Sequence, residues 1–246
     1  MTTLFISDLH LCAERPEKLT LFKRLLQGPA RDAESLYILG DLFEAWAGDD
    51  DSTPPHGEII AELTAYTQSG GKLFVMRGNR DHLISYRFAE KTGALLLDDE
   101  TEITLNGENI LLMHGDTLCT EDVKYQIFRL IMNNVFSRKL VMFIPFSLRS
   151  NLWHKIRGAA KKSAERKSEY LSDVHQATVE IKMNKHDVLC LIHGHTHRQA
   201  IHEFKLNGQN AKRIVLGDWY LNDSILVSNA KELKLFGVND YIKQNS

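Results

Sequence analysis

Three features that often betray a protein's class are scarce in this chain of 246 residues. Cysteine is the first: Cys12, Cys119 and Cys190 stand far apart and form no CxxC pair, which excludes a disulfide framework and leaves reduced cytosolic thiols as the expectation. Charge of one sign is the second. With 30 Lys/Arg against 32 Asp/Glu the formal net charge is −2, so the surface as a whole is not built to hold nucleic acid. Long apolar runs are the third. The longest, Leu140 to Leu148, falls well short of the roughly 20 residues of a spanning helix. The opening MTTLFISDLH has no basic region ahead of an apolar one, so no signal peptide is expected and the protein reads as soluble or at most peripheral.

What is present suits one large domain over residues 1–246, because 43% hydrophobic content at this length can fill a sizeable core. Short runs rich in β-branched or aromatic residues recur as TLFIS, SLYILG, KLFVMRG, NILLMHG and VLCLIHG. The last four end in a Gly-containing polar turn, and helical patterns over Glu17 to Leu26 and Ile59 to Gln68 separate the first three. The spacing predicts an α/β fold with strands buried on both faces. RIVLGDW, SILVSN and ELKLFGV then follow in close succession, which predicts an antiparallel meander belonging to a second sheet.

Residues 122–170 differ from the rest, with eleven Lys/Arg against three Asp/Glu interleaved with Phe128, Phe136, Phe143, Phe146 and Trp153. This segment reads as a helical insertion of basic and apolar character. No basic track with regularly spaced stacking aromatics lies outside it, which argues against a nuclease. The stretch GDDDSTPPHG from Gly48 to Gly57, with its acidic run Asp49 to Asp51, reads as a solvated loop.

Chemistry gathers at the ends of the predicted strands. ISDLH offers Asp8 and His10, LGDLF offers Asp41, RGNRD offers Asn79, MHGD offers His114, and HGHTH offers His195 and His197. The carboxyl ends of parallel strands face a common crevice, so these residues can converge. Mixed imidazole, carboxylate and amide donors suit a divalent ion such as Mn²⁺ or Fe²⁺ better than a thiolate-bound Zn²⁺. Seven ligands exceed what one ion takes while leaving room for water, so two ions sharing a bridging carboxylate are expected, with Asp41 as the bridge. Gly40, Gly78, Gly115 and Gly194 flank these ligands where the backbone must turn tightly.

In that order, DxH, GD, GN, a His followed by Gly, and GHTH resemble the motifs of the calcineurin-like metallophosphoesterases, from Asp8 to His197. The resemblance implies a four-layer α/β/β/α sandwich with a two-metal site. It implies one ion held by Asp8, His10, Asp41 and His197 and a second by Asp41, Asn79, His114 and His195, most simply Mn²⁺, with His193 outside the ligand set. Many members read GNHD or GNHE where this chain reads GNRDH, so Arg80 replaces the usual catalytic His. A guanidinium does not serve as a general acid, but its fork can hold phosphate oxygens. His82 reads as a bystander.

With Arg80, the stretches LYILGDLFEAW, HGDTLCTEDVKYQ and IHGHTHR make nearly the whole chain similar to the lipid A pathway family that cleaves UDP-2,3-diacylglucosamine. That likeness implies hydrolysis of a pyrophosphate to UMP and 2,3-diacylglucosamine 1-phosphate, by attack on the phosphorus next to uridine. It implies a helical lid over the active site and peripheral contact with the cytoplasmic side of the inner membrane, without a nucleic-acid partner. Asn79, Arg80, Asp122, Lys167 and His195 match the family's substrate positions, Tyr125 lies one helical turn beyond Asp122, and Asp41, His114 and Arg80 carry the catalytic roles. Ala160 and Ala164 stand where the family commonly has Ser and Asn, so two polar contacts are missing here or rerouted through Ser163 or Ser168. Two rivals remain open at this point. One is a phosphodiesterase or nucleotide pyrophosphatase acting on a soluble compound, and the other is a metal-free scaffold that docks a partner or membrane through the insertion.

Overall fold

Alternation within the apolar runs decides the layers. The computed structural model describes residues 2–164, 174–220 and 223–245. In it β1 (Thr3–Ile6), β2 (Ser35–Leu39) and β3 (Lys72–Met76) lie side by side and parallel, with the short β4 (Leu95–Leu96) beyond β3. Successive side chains on a strand face opposite ways. Leu4, Ile6, Leu36, Ile38, Leu73 and Val75 therefore join one core, while Phe5, Tyr37, Leu39 and Met76 join another. On the second face the rings of Phe5, Tyr37 and Phe74 stack in a row across three strands, with centroids 5.0 and 4.5 Å apart.

The first core is closed by α1 (Pro16–Gln27), α2 (His56–Gln68) and α3 (Tyr86–Thr92). Proline opens α1, where its missing N–H is no loss, and Leu19, Phe22, Leu25 and Leu26 recur along one buried stripe. The second core lies between the sheets. Its other wall holds β5 (Thr101–Leu105), β6 (Glu108–Leu112), β7 (Cys190–His193), β8 (Ala200–Leu206) and β9 (Gln209–Val215) in the order β5-β6-β7-β9-β8. Ile110, Leu112, Cys190, Ile192 and Ile214 face the first sheet. Leu111 and Leu191 face away, against Val179 and Met183 of α7 (Gln176–Lys185). The result is the expected α/β/β/α stack.

The C-terminal strands correct one expectation. They do not form a meander in the second sheet. β9 runs parallel to β7 and antiparallel to β8, whereas β10 (Ser224–Ser228) and β11 (Leu233–Gly237) return to the first sheet, antiparallel on the far side of β1. Both faces of β10 are buried in that place. Leu226 points into the core between the sheets while Ile225 and Val227 point toward the helical layer, where α8 (Val238–Gln244) adds Tyr241 and Ile242.

The stretch from Gly48 to Gly57 corrects another in part, because two of its three aspartates, Asp49 and Asp51, are buried while Asp50 stays exposed. Asp49 is buried and accepts from the Trp46 indole, Ser85 and the Phe88 N–H at the start of α3. Asp51 is buried and accepts from the N–H groups of Ala47 and Thr53. Asp50 pairs with Arg149. Two carboxylates can sit inside because backbone, hydroxyl and indole donors meet them there.

Residues after 122 are helical, as expected: α4 (Val123–Asn133), α5 (Val135–Met142) and α6 (Phe146–Ala164). Asp122 and Asn134 cap the first two by accepting from N–H groups of the first turn. Arg149 fastens the segment to the body. It is buried, donating through Nη1 to Ile144 O at 2.8 Å and through Nε to Ala47 O at 2.5 Å. Leu130, Phe136, Leu140 and Phe143 nevertheless stay exposed, Phe143 by 85%. Among the described residues no helix is long and apolar enough to cross a membrane.

Candidate metal centre and active site

β1, β2 and β3 of one sheet and β6 and β7 of the other open at the same edge, and the loops leaving them are bonded together. Asp8 N donates to Gly40 O at 3.1 Å, His10 N to Asp41 O at 3.0 Å, and Gly194 N to His114 O at 2.8 Å. Five residues in these loops adopt left-handed backbone: Asp8 (φ 55°), His10 (49°), Asp41 (53°), His195 (69°) and His197 (61°). The left-handed region costs a non-glycine residue roughly 1–2 kcal/mol. Strain gathered on five polar side chains that point to one place marks a site where function sets the backbone. Two glycines make the approach possible. A Cβ on Gly78 would strike the Asp41 carboxylate and amide, and one on Gly194 would strike Ser7 Oγ and Asp8 Oδ2.

The side chains form two adjoining groups. In one, His197 Nε2 lies 3.3 Å from Asp8 Oδ1 and 3.2 Å from His10 Nε2, and His10 Nε2 lies 3.9 Å from Asp41 Oδ2. In the other, Asn79 Oδ1 is 2.9 Å from both His114 Nε2 and His195 Nδ1, and His114 Nε2 is 3.8 Å from Asp41 Oδ1. Asp41 thus presents one oxygen to each group. Behind the inward nitrogens, His114 Nδ1 donates to Leu39 O at 2.8 Å and His197 Nδ1 faces Asp218 Oδ2 at 3.5 Å. Such outer contacts fix the ring and leave the inner nitrogen as a donor to an ion.

Burial and mutual proximity set the charges. Burial would raise the Asp8 carboxyl, but His197, His114 and His10 outweigh it and hold it well below the usual carboxylate range. Burial pushes Asp41 up to about 8 against the pull of His114. For His114 burial works downward, yet Asp41, Asp8 and Asp116 carry it up to about 9. Burial, with help from Arg80, holds His10 well below its ordinary value, and burial with His114 takes His195 to about 4. An ionised Asp8 therefore stands among imidazoles of two kinds. His10 and His195 are reluctant to take protons, whereas His114 and His197 are raised, despite burial, by the carboxylates beside them. Positive charge, proton or cation, is called for at this cluster.

The donor set fits a metal on a direct observation. Asp8 Oδ2 is saturated by Ser7 Oγ at 2.7 Å and His195 N at 2.8 Å, whereas Asp8 Oδ1 is fully buried without a hydrogen-bond donor. A buried carboxylate oxygen facing only imidazole nitrogens lacks its partner unless a cation supplies it.

Arg80 stands beside this cluster. Its backbone N donates to Asp41 Oδ1 at 2.7 Å, and its guanidinium Nε lies 3.5 Å from Asp41 Oδ2. The Tyr125 ring lies nearly parallel to His195, 6.3 Å between centroids, and Asp122 caps α4 just before it. Lys167 and Ser168 lie outside the described residues, as do the side chains of Ala160, Ser163 and Ala164. His193 is buried behind the cluster, 3.1 Å from Arg213 Nη1. His82 is buried too, with Nδ1 3.1 Å from Asn133 Oδ1.

Sequence reasoning passed over four carboxylates here. Asp81 is wholly buried and accepts from Leu42 N at 2.8 Å and Gly78 N at 2.7 Å, locking the β2 and β3 loops together. Asp116 holds α4, Asp218 backs His197, and Glu44 reaches Arg80. Asp81 and Asp116 could have been found, since each follows a glycine-containing motif within three residues.

Two sheets whose strand ends bring together carboxylates, imidazoles and an amide define a metal-dependent phosphoesterase, and residues 1–199 match the family model of the calcineurin-like phosphoesterases. That family binds divalent metals. The chain is 46% identical to a UDP-2,3-diacylglucosamine hydrolase of Aeromonas hydrophila over 96% of its own length and 98% of that protein's. It is 45% identical to one of Escherichia coli O81, with the same coverage of each chain. Among solved structures it is similar to a phosphoesterase from E. coli, with 16% identity, a TM-score of 0.48 and coverage of 98% and 94%. The chain belongs to the calcineurin-like phosphoesterases and, within them, to the family of these UDP-2,3-diacylglucosamine hydrolases.

Proposed function

We propose that the protein hydrolyses the pyrophosphate of UDP-2,3-diacylglucosamine to UMP and 2,3-diacylglucosamine 1-phosphate, in lipid A biosynthesis. The observation that carries the reading is the likeness, over 96% of the chain, to hydrolases of that name, joined to a donor set whose buried Asp8 Oδ1 calls for a cation. Two divalent ions are bound, one by Asp8, His10, Asp41 and His197 and one by Asp41, Asn79, His114 and His195. Mn²⁺ suits these oxygen and imidazole donors, which include no thiolate. Such ions supply Lewis acidity toward phosphate oxygens and toward water.

The protein's own groups do the rest. The Asp41 carboxylate joins the two groups and fixes their separation. Leu39 O and Asp218 hold the rings of His114 and His197 with their inner nitrogens turned toward the carboxylates. Arg80 presents a guanidinium to the phosphate oxygens, where charge grows as the bond to the departing phosphate breaks, and Asn79 and His195 adjoin the same oxygens. Attack falls on the phosphorus next to uridine.

The insertion serves as a lid. Asp122, Tyr125 and Lys167 meet the headgroup, and the apolar sides of α4, α5 and α6 meet the acyl chains. Its exposed Leu130, Phe136, Leu140 and Phe143, in a segment with eleven cations, suit peripheral contact with an anionic inner-membrane surface.

Mn²⁺ titration of chelator-treated protein should reach two equivalents per chain, and Asp41→Asn should reach fewer. UDP-2,3-diacylglucosamine should be cleaved in preference to UDP-N-acetylglucosamine, which lacks the acyl chains. Faster cleavage of the soluble sugar nucleotide would replace the lipid assignment with a general nucleotide pyrophosphatase.

A further inference from the structure

We propose that Glu44 is a positioning residue that aims the Arg80 guanidinium, an inference that rests on Arg80 being a phosphate-binding group. Glu44 lies three residues beyond Asp41 in the turn after β2, with its Oε2 3.6 Å from His10 Nδ1 at the edge of one ion-binding group. Its Oε1 accepts from Arg80 Nη1 at 3.2 Å, while Arg80 Nε lies 3.5 Å from Asp41 Oδ2. The guanidinium is therefore slung between two carboxylates. Its second amino nitrogen, Nη2, makes no hydrogen bond among the described residues and remains for a ligand oxygen.

Glu44 is itself held. Its Oε2 accepts from Tyr220 Oη at 2.5 Å, and the Arg15 guanidinium lies 3.4 Å above the Tyr220 ring centre. The Tyr220 ring also lies 5.1 Å from the His10 ring. Asp218, two residues before Tyr220, backs His197, so the loop after β9 orients groups on both sides of the site. An arginine side chain has four rotatable torsions, and a contact useful in the transition state requires that they be fixed beforehand. Glu44, one-third exposed at the rim, fixes the last of them. A carboxylate there also draws the guanidinium away from a full collapse onto Asp41, which would spend its donors on a metal ligand.

Glu44 touches both Arg80 and, through Oε2 at 3.6 Å, Nδ1 of His10, so Mn²⁺ content separates a role through Arg80 from one through the ions. Glu44→Gln, Glu44→Ala, Arg80→Ala and the double variant Glu44→Ala/Arg80→Ala are assayed for kcat, KM and Mn²⁺ content. Glu44→Ala should lower kcat on the order of ten- to a hundred-fold, with KM and bound Mn²⁺ unchanged. Glu44→Gln keeps an acceptor oxygen and should lose less. The double variant should be no slower than Arg80→Ala alone, because a positioning residue has nothing left to position. Independent, multiplying losses would overturn the proposal, as would loss of bound Mn²⁺ in Glu44→Gln. If the protein cleaves only a soluble diester such as bis(p-nitrophenyl) phosphate, the lipid assignment fails on its own. The same cycle run on that diester still decides the role of Glu44.

Discussion

Arg129 Nε donates to Asp116 Oδ2 at 2.6 Å, and with that contact helix α4 is fastened to the turn that follows His114. Tyr125 donates its hydroxyl to the same oxygen, and Gln126 Nε2 donates to Asp116 O at 2.8 Å and Cys119 O at 3.0 Å. The first two turns of α4 are thus referenced to the catalytic loop and not merely to their neighbours in the insertion. Asp116 is buried, and burial would raise its carboxyl, but His114, Arg129 and His195 outweigh that and hold it low.

Removing Arg129 leaves a buried carboxylate with one of its two charge-assisted partners gone. Arg129→Met should therefore destabilise the protein by about 3 kcal/mol in urea unfolding. It should also raise KM, because Tyr125 and Asp122 lose their fixed distance from His195. A variant as stable as the parent would show that α4 is held by its apolar contacts alone.

Gly194 tests the closeness of the two strand ends. A side chain there meets Ser7 Oγ and the Asp8 carboxylate, so Gly194→Ala must push the HGHTH loop away from β1. The expected outcome is weakened Mn²⁺ binding by ten-fold or more, on the order of what loss of an outer contact to a ligand costs, together with a lower Tm. Unchanged Mn²⁺ affinity by calorimetry would contradict the geometry given for Asp8.

Much of this architecture could be read in advance, and the residues show why. Apolar runs ending in a polar side chain carry both a strand and the group at its end, so the convergence of Asp8, Asp41, Asn79, His114 and His195 was legible. The sheet joined by β10 was not, because Ile225, Leu226 and Val227 alternate identically whichever sheet they enter. Strands β5 and β8, TEITL and AIHEFKL, sit at sheet edges with one polar side and lack a recognisable apolar run. Asp49 looked solvated because the groups that meet it, Ser85 and Phe88 N, come from a distant part of the chain. Glu44, Asp218 and Tyr220 belong to no periodic pattern, and only the fold brings them to Arg80 and His197.

A cluster far from the site predicts a pH dependence of stability. Glu100 meets Lys182, Lys185 and His186, and His186 also meets Glu102. Hydrogen bonds to Glu100 and Glu102 raise the His186 imidazole above its ordinary 6.5. Its stabilisation is then fully present below the unfolded value and lost as pH rises through the raised native one. For Glu100 burial works upward, but Lys182, Lys185 and His186 outweigh it and take the carboxyl from 4.5 to about 2. That contribution is present above 4.5 and fades as pH falls toward 2. The destabilisation by His186→Ala should therefore be greater near pH 5.5 than near pH 8.5, as measured by urea unfolding. The opposite order would mean that the imidazole is neutral in the folded protein.

The proposed reaction is metal-dependent attack on the phosphorus next to uridine. It is tested most directly by hydrolysis of UDP-2,3-diacylglucosamine in ¹⁸O-labelled water, with Mn²⁺ or with excess chelator, reading both products by mass spectrometry. Label is expected in UMP alone when Mn²⁺ is present, with no turnover under chelation. Label in 2,3-diacylglucosamine 1-phosphate, or turnover that survives the chelator, would contradict it.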